Sequence, residues 1–302
     1  MKVEIFRKRE KPIQNITLIA LIIALQASFS LITTFIPDLI VIPLLIILLI
    51  PLTSVIVPLY CQKNYLIVYL ISSIAINLAV SSINLTNTIF YMIPSILIGF
   101  FYGLFLKLKF PTSLNIFGLS LITLVLWIIS LYIIKGMYGI DMQETLLKII
   151  GKNTTAGKNI FLLFGYFFSL AQLTLIHLFI MCQSKYLGIE NKFSNEICIL
   201  YPIFAAFFAS FSALFGLWYL DIAYLLFGFA IYWSVYCLYQ ILKERNQVII
   251  LLTIVSCLLM IIPFAFAYKN FSKESALLLT NLYLIPLIIF SFLNSILSKR
   301  KG

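Results

Sequence analysis

"ITLIALIIALQASFSLITTFI", residues 16–36, runs for 21 positions without a charge. A helix of that length spans about 30 Å, the thickness of a bilayer's hydrocarbon core. Runs of similar length recur to the C-terminal end. Of the 302 residues, 63% are hydrophobic and 10% charged, and the mean hydropathy is +1.10. A water-soluble core does not need that much apolar surface. The alternation of a β-barrel strand is absent. The sequence therefore reads as an all-α, polytopic integral membrane helical bundle of about ten transmembrane helices. The expected spans are roughly 13–35, 39–60, 64–83, 86–106, 112–134, 160–182, 197–218, 222–242, 248–268 and 275–297.

The net charge of +11 raises nucleic acid as a partner, but its distribution argues against one. With ten crossings, one side holds the N-terminal "KVEIFRKREK", Lys63, Lys107, Lys109, Lys185, Lys192, Lys243, Arg245 and the tail "SKRKG". That side carries 15 of the 21 basic residues. The positive-inside rule makes it cytoplasmic, with both termini there, and the basic charge faces anionic lipid. The expected location is the cell membrane and the expected surroundings are the lipid bilayer. The first span is too long for a cleaved signal peptide and lacks an A-x-A site before a polar segment.

Between the fifth and sixth spans lies the longest polar stretch, 135–159. Within it Asp141 and Glu144 have the spacing of a capping box. Met142, Leu146, Ile149 and Ile150 share one helical face, which predicts a short interfacial helix. It reads as a membrane-hugging connector or as a lid over an outward-facing pocket. The second span contains Pro43, Pro51 and Pro58, each of which removes a backbone donor, so a kinked helix is expected there.

Much chemistry has no residues to run it. There is no P-loop and no H-E-x-x-H, and His177 is the single histidine. No span carries a central Asp or Glu, which disfavours an ion-driven carrier and an intramembrane acid protease. Cys61, Cys182, Cys198, Cys237 and Cys257 are scattered and odd in number, which suggests neither a disulfide framework nor a zinc site. No catalytic residue, metal ligand or cofactor follows from the sequence. The polar groups that remain inside spans are Gln26, Asn77, Gln172, His177 and Asn281. Each is read either as interhelical glue or as lining for a small, mostly apolar or aromatic ligand; Gln26, Asn77, Gln172 and His177 are the ligand-binding candidates.

Small residues carry the rest of the signal. Helices in lipid gain from close backbone contact, which small side chains permit. Ala20, Ala24 and Ser28 advance about 40° per step and form one stripe. Gln26 lies about 200° from its centre. Gln26 should turn inward, which turns the stripe outward as a partner-docking surface. Gly99 and Gly103 form a GxxxG, expected to pack inside the bundle.

A basic N-terminus before a span with small residues at every fourth position resembles the substrate-binding S components of energy-coupling-factor vitamin transporters. The run Pro94, Gly99, Gly103 is similar too. The resemblance covers residues 13–182, six spans. It implies that Ala20, Ala24 and Ser28 meet a membrane coupling protein served by separate ATPases. Four further spans depart from that family. With "KYLGIENKFSNEICILYPIF" (185–204) and "YLLFGFAIYWSVYCLYQILKERN" (224–246), the whole chain resembles the YybS-type family of uncharacterised bacterial membrane proteins. The expected organisation is a six-helix module over 1–182 and a four-helix module over 183–302.

The expected function is that of a non-enzymatic membrane protein that binds a small, vitamin-like or cofactor-like molecule, or takes part in its uptake with a separate energising partner. One alternative is a membrane scaffold using the same stripe. Another is a lipid-linked glycan enzyme or flippase, which would bring Asp38 or Asp221 together with Lys135, Lys148 and Lys152.

Overall fold

The computed structural model describes residues 10–35, 41–82, 85–139, 141–149, 155–184, 199–243, 247–270 and 276–299. These residues are helical apart from short connections, and no strand occurs among them. Among the described residues, seven helices are long and apolar enough to cross a membrane: Pro12–Ile32, Thr88–Lys107, Thr112–Tyr138, Phe161–Gln183, Leu220–Lys243, Gln247–Ala265 and Leu278–Ile296. Two shorter apolar helices, Asn64–Val80 and Leu200–Phe215, and the apolar segment Leu49–Tyr60 of a further helix accompany them. The chain is an α-helical protein with the helices of a multi-pass membrane protein.

Two compact units divide the contacts. The first comprises 1–143 and 168–195, the second 144–167 and 196–302. The division therefore is not a single cut in the sequence. A continuous helix, Phe161–Gln183, supplies its first turns to the second unit and the remainder to the first.

The first unit is built from α1 (Pro12–Phe35), α2 (Val41–Tyr60), α3 (Asn64–Val80), the short α4 (Leu85–Asn87), α5 (Ile93–Lys107), α6 (Thr112–Tyr138) and the later turns of Phe161–Gln183. Its tightest pair is α2 with α5. A Cβ on Gly99 would lie 2.3 Å from the Pro51 carbonyl oxygen, and one on Gly103 would lie 2.6 Å from that of Val55. Residues 51 and 55 thus face 99 and 103 in register, one helical turn apart. At the next turn Lys107 Nζ donates to the Pro58 carbonyl at 2.7 Å. That bond satisfies an end-of-helix carbonyl that otherwise lacks a partner. The GxxxG lies inside this unit, and two of the three expected α2 prolines face it. The side chain of Pro43 lies outside the described residues.

A π-helical turn, Thr88–Met92, precedes α5. Its cause is local: Pro94 has no N–H for the carbonyl four residues earlier, at Phe90, and its ring crowds that carbonyl. Ser130 Oγ donates to the Ile89 carbonyl at 3.0 Å and holds the widened turn against α6. α6 ends at Gly139, whose φ of 69° is the left-handed cap that glycine adopts without a Cβ penalty.

The second unit contains α7 (Met142–Ile149, mostly), α8 (Thr155–Asn159), the start of α9 (Phe161–Gln183), α10 (Leu200–Phe215), α11 (Leu220–Lys243), α12 (Gln247–Leu259), α13 (Ile261–Asn270) and α14 (Asn281–Lys299). α10 packs along α11 through aromatic rings. Trp233 is fully buried between Phe204, at 4.9 Å, and Tyr232, at 5.2 Å. α11 and α14 share a polar contact, in which Gln240 Nε2 donates to Ser295 Oγ at 2.7 Å and Ser291 Oγ donates to Gln240 Oε1 at 3.0 Å. Asn281 Nδ2 donates to Ser212 Oγ at 3.3 Å.

The short polar-segment helix forms at α7. Its Leu147 is buried, while Glu144 and Lys148 are exposed and paired at 2.9 Å. The side chains of Met142, Leu146, Ile149 and Ile150, the apolar face expected from the sequence, lie outside the described residues. Cys61, Cys182, Cys237 and Cys257 form no disulfide among the described residues, and Cys198 lies outside them.

Candidate functional site

The four polar residues singled out in the sequence separate into three places, all in the first unit. Gln26 and Asn77 belong to one buried network. Gln26 is fully buried, and its Nε2 faces Tyr69 Oη at 2.8 Å, Ser54 Oγ at 2.9 Å and Thr53 Oγ1 at 3.3 Å. Ser73 Oγ donates to Gln26 Oε1 at 2.6 Å, and Tyr69 Oη donates to Ser54 Oγ at 2.9 Å. Asn77 Nδ2 donates to the Ser73 carbonyl at 2.8 Å. One turn on, Ser81 Oγ meets both the Asn77 carbonyl and Thr88 Oγ1. The network thus joins α1, α2, α3 and the π turn. This arrangement is glue: both ends of the Gln26 amide have protein partners, and Asn77 Oδ1 alone among the amide atoms of the network is left without one.

His177 stands elsewhere. Its Nδ1 shares a hydrogen bond of 2.5 Å with the hydroxyl of the fully buried Tyr102 on α5. The pair fixes α9 against α5.

Gln172 stands in the third place. It lines a cleft with Ser95, Thr123 and Ser169, all buried, and with the rings of Phe90, Tyr91, Trp127 and Phe168. Pro94 closes the floor. Phe90 meets Trp127 edge to face at 6.5 Å and Tyr91 at 4.9 Å. Among the described residues neither the Gln172 amide nor the Ser95 hydroxyl has a hydrogen-bond partner. Ser95 is 1% exposed and Gln172 9% exposed. A buried polar group left unpaired costs about 1–3 kcal/mol, so the Ser95 hydroxyl calls for a further donor or acceptor. The walls are flat rings, the polar groups are neutral, and no charged side chain among the described residues lines the space.

The chain matches no family model, no curated protein and no solved structure.

The cleft must therefore be read from its own residues. Sequence reasoning found Gln172, because an amide in mid-span stands out. It missed Ser95, Thr123 and Ser169, because a helical serine or threonine ordinarily donates to its own helix and carries no signal. It missed Phe90 and Trp127 because aromatic residues make up 16% of the chain.

The small stripe is on the surface of this chain. Ala20, Ala24 and Ser28 are exposed, and Ser28 Oγ donates to the Ala24 carbonyl at 2.9 Å. Gln26 between them points into the unit. Of the residues that a glycan enzyme would gather, Lys135 pairs with Asp141 at 2.7 Å and Lys148 with Glu144. Asp221 is exposed, and Asp38 and Lys152 lie outside the described residues.

Proposed function

We propose that the chain is a non-enzymatic membrane protein that binds a small, uncharged molecule with an aromatic or apolar body in the cleft around Gln172. In this reading it takes part in that molecule's uptake, with a separate energising partner docked on Ala20, Ala24 and Ser28. About ten spans, with proline-kinked second and last helices and both termini cytoplasmic, complete it. The resemblance to S components points the same way, while that to the YybS-type family implies an architecture and no activity. The observation that carries the reading is the buried, unpartnered Ser95 hydroxyl, beside Gln172 in a cleft walled by four rings. Rings stack on rings, and a buried site built to hydrogen-bond a ligand discriminates strongly against one that cannot reciprocate. In the present conformation the cleft holds about 20 Å³, room for one water. Binding then requires Phe90 and Tyr91, carried on the π turn, to swing aside.

Purification from the native host with mass spectrometry of bound small molecules tests the reading. Gln172→Leu should lower the recovery of the bound compound at least tenfold while the protein melts normally. Unchanged recovery would leave Gln172 a packing residue only. The closed cleft favours a second reading, a membrane scaffold with no ligand, in which the stripe alone acts. Proteins that co-purify in the absence of any small molecule would support it.

Ala24→Leu separates docking from internal packing. An exposed leucine in lipid costs the chain almost nothing, so the melting temperature should stay put while partner recovery falls. A destabilised Ala24→Leu would make the stripe ordinary helix packing. The topology has its own test. Reporter fusions placed after Lys109 and after Arg245 should both report cytoplasm, as the distribution of basic residues requires. An outer-side signal at either position overturns the arrangement.

A further inference from the structure

The second unit holds a cavity of its own, about 270 Å³ in volume. Its wall is hydrocarbon, supplied by Leu147 of α7, Gly157 of α8 and Ile160, Phe161, Leu163 and Phe164 at the start of α9. Leu147, Phe161 and Leu163 are buried. Leu163 packs against Gly228, where a Cβ would come within 2.7 Å of Leu163 Cδ1. Among the described residues the lining is almost wholly hydrocarbon, which favours an apolar chain or ring over a polar solute.

The charges beside the cavity select the rest of the ligand. Two lysines sit next in sequence to lining residues, Lys148 after Leu147 and Lys158 after Gly157. Lys148 is paired with Glu144. Lys158 is exposed and has no partner among the described residues. Leu147, which lines the cavity, belongs to a short helix that buries this leucine and exposes a charge pair, the pattern of a helix lying where headgroups meet acyl chains.

We propose that this cavity is a lipid site. It seats one acyl chain of an anionic phospholipid, whose phosphate is drawn to Lys158. A cation near a membrane surface contributes about 1 kcal/mol of attraction to anionic lipid, which is about fivefold in occupancy. The preference falls as salt rises, because the contact is exposed.

The test uses the full-length protein in detergent, titrated with phosphatidylglycerol or with phosphatidylcholine of identical chains and read by native mass spectrometry. The wild type should retain one phosphatidylglycerol per chain, about fivefold more readily than phosphatidylcholine. Lys158→Glu should abolish the preference and leave the retention of phosphatidylcholine unchanged. Ile160→Trp fills the cavity and should abolish retention of both lipids. Equal retention of the two lipids by the wild type overturns the proposal, as does an unaltered preference in Lys158→Glu. Lys158 is exposed, so its replacement leaves the packing intact and decides the matter even where Ile160→Trp fails to fold.

Discussion

Gly99→Ala is expected to separate α2 from α5 and to destabilise the protein by about 3 kcal/mol, the upper end of overpacking costs. The added methyl would lie 2.3–2.7 Å from three backbone atoms of Pro51. Backbone cannot rotate away as a side chain can, so the two helices must part. Their parting also removes the Lys107 contact with the Pro58 carbonyl one turn further along. Gly103→Ala meets the Val55 carbonyl oxygen at 2.6 Å and should behave alike. The same helices and their neighbours supply the controls. A Cβ on Gly118 meets only the Phe105 ring, at 3.5 Å, and one on Gly136 meets nothing within 4 Å. Alanine there should be neutral or stabilising by up to about 1 kcal/mol, through helix propensity. Unfolding midpoints of the four variants in one detergent decide it. A Gly99→Ala protein that unfolds together with Gly136→Ala contradicts the seam.

The second large effect is expected at Gln26→Leu. Leucine is close in size and suits lipid, so hydropathy alone forecasts a gain. Inside the unit it strands the Ser73 hydroxyl and takes a partner from Tyr69, Ser54 and Thr53. Polar contacts between membrane helices are individually modest, and several lost together amount to about 2 kcal/mol. Tyr69→Phe removes one hydroxyl from the same network and should cost about half as much. A Gln26→Leu protein that is as stable as Ala24→Leu, two residues away on the exposed face, would mean that the network contributes nothing.

These two expectations differ in how far the sequence anticipated them. The glycine pair stood out because small residues four apart mark a close crossing wherever helices meet without a hydrophobic drive. Its partner, the Pro51 and Val55 face, did not, because register between helices some 50 residues apart leaves no local trace. The direction of Gln26 followed from helical arithmetic alone, since 100° per residue sets it opposite Ala24. Its partners Ser54, Tyr69 and Ser73 did not follow, as hydroxyls are common in membrane helices and none of these breaks a pattern. The π turn was hidden inside what reads as a single apolar span, 86–106. The sign was Pro94 itself, a proline with half a turn of helix still to be satisfied behind it. The Gln172 cleft was legible by one residue of nine, for its rings and hydroxyls come from three helices and acquire meaning only side by side.

The polar network of the first unit has an electrical consequence. Gln26, Thr53, Ser54, Ser73, Asn77, Ser81 and Thr88 carry no ionisable group, and the network holds no carboxylate, imidazole or amine. A unit charge carried across a membrane potential of 100 mV exchanges about 2.3 kcal/mol with the field. A network without charge exchanges none. Neither voltage nor a change of pH near neutrality has a handle on the joint between α1, α2 and α3, so these three helices should stay locked while the cell's energisation rises and falls.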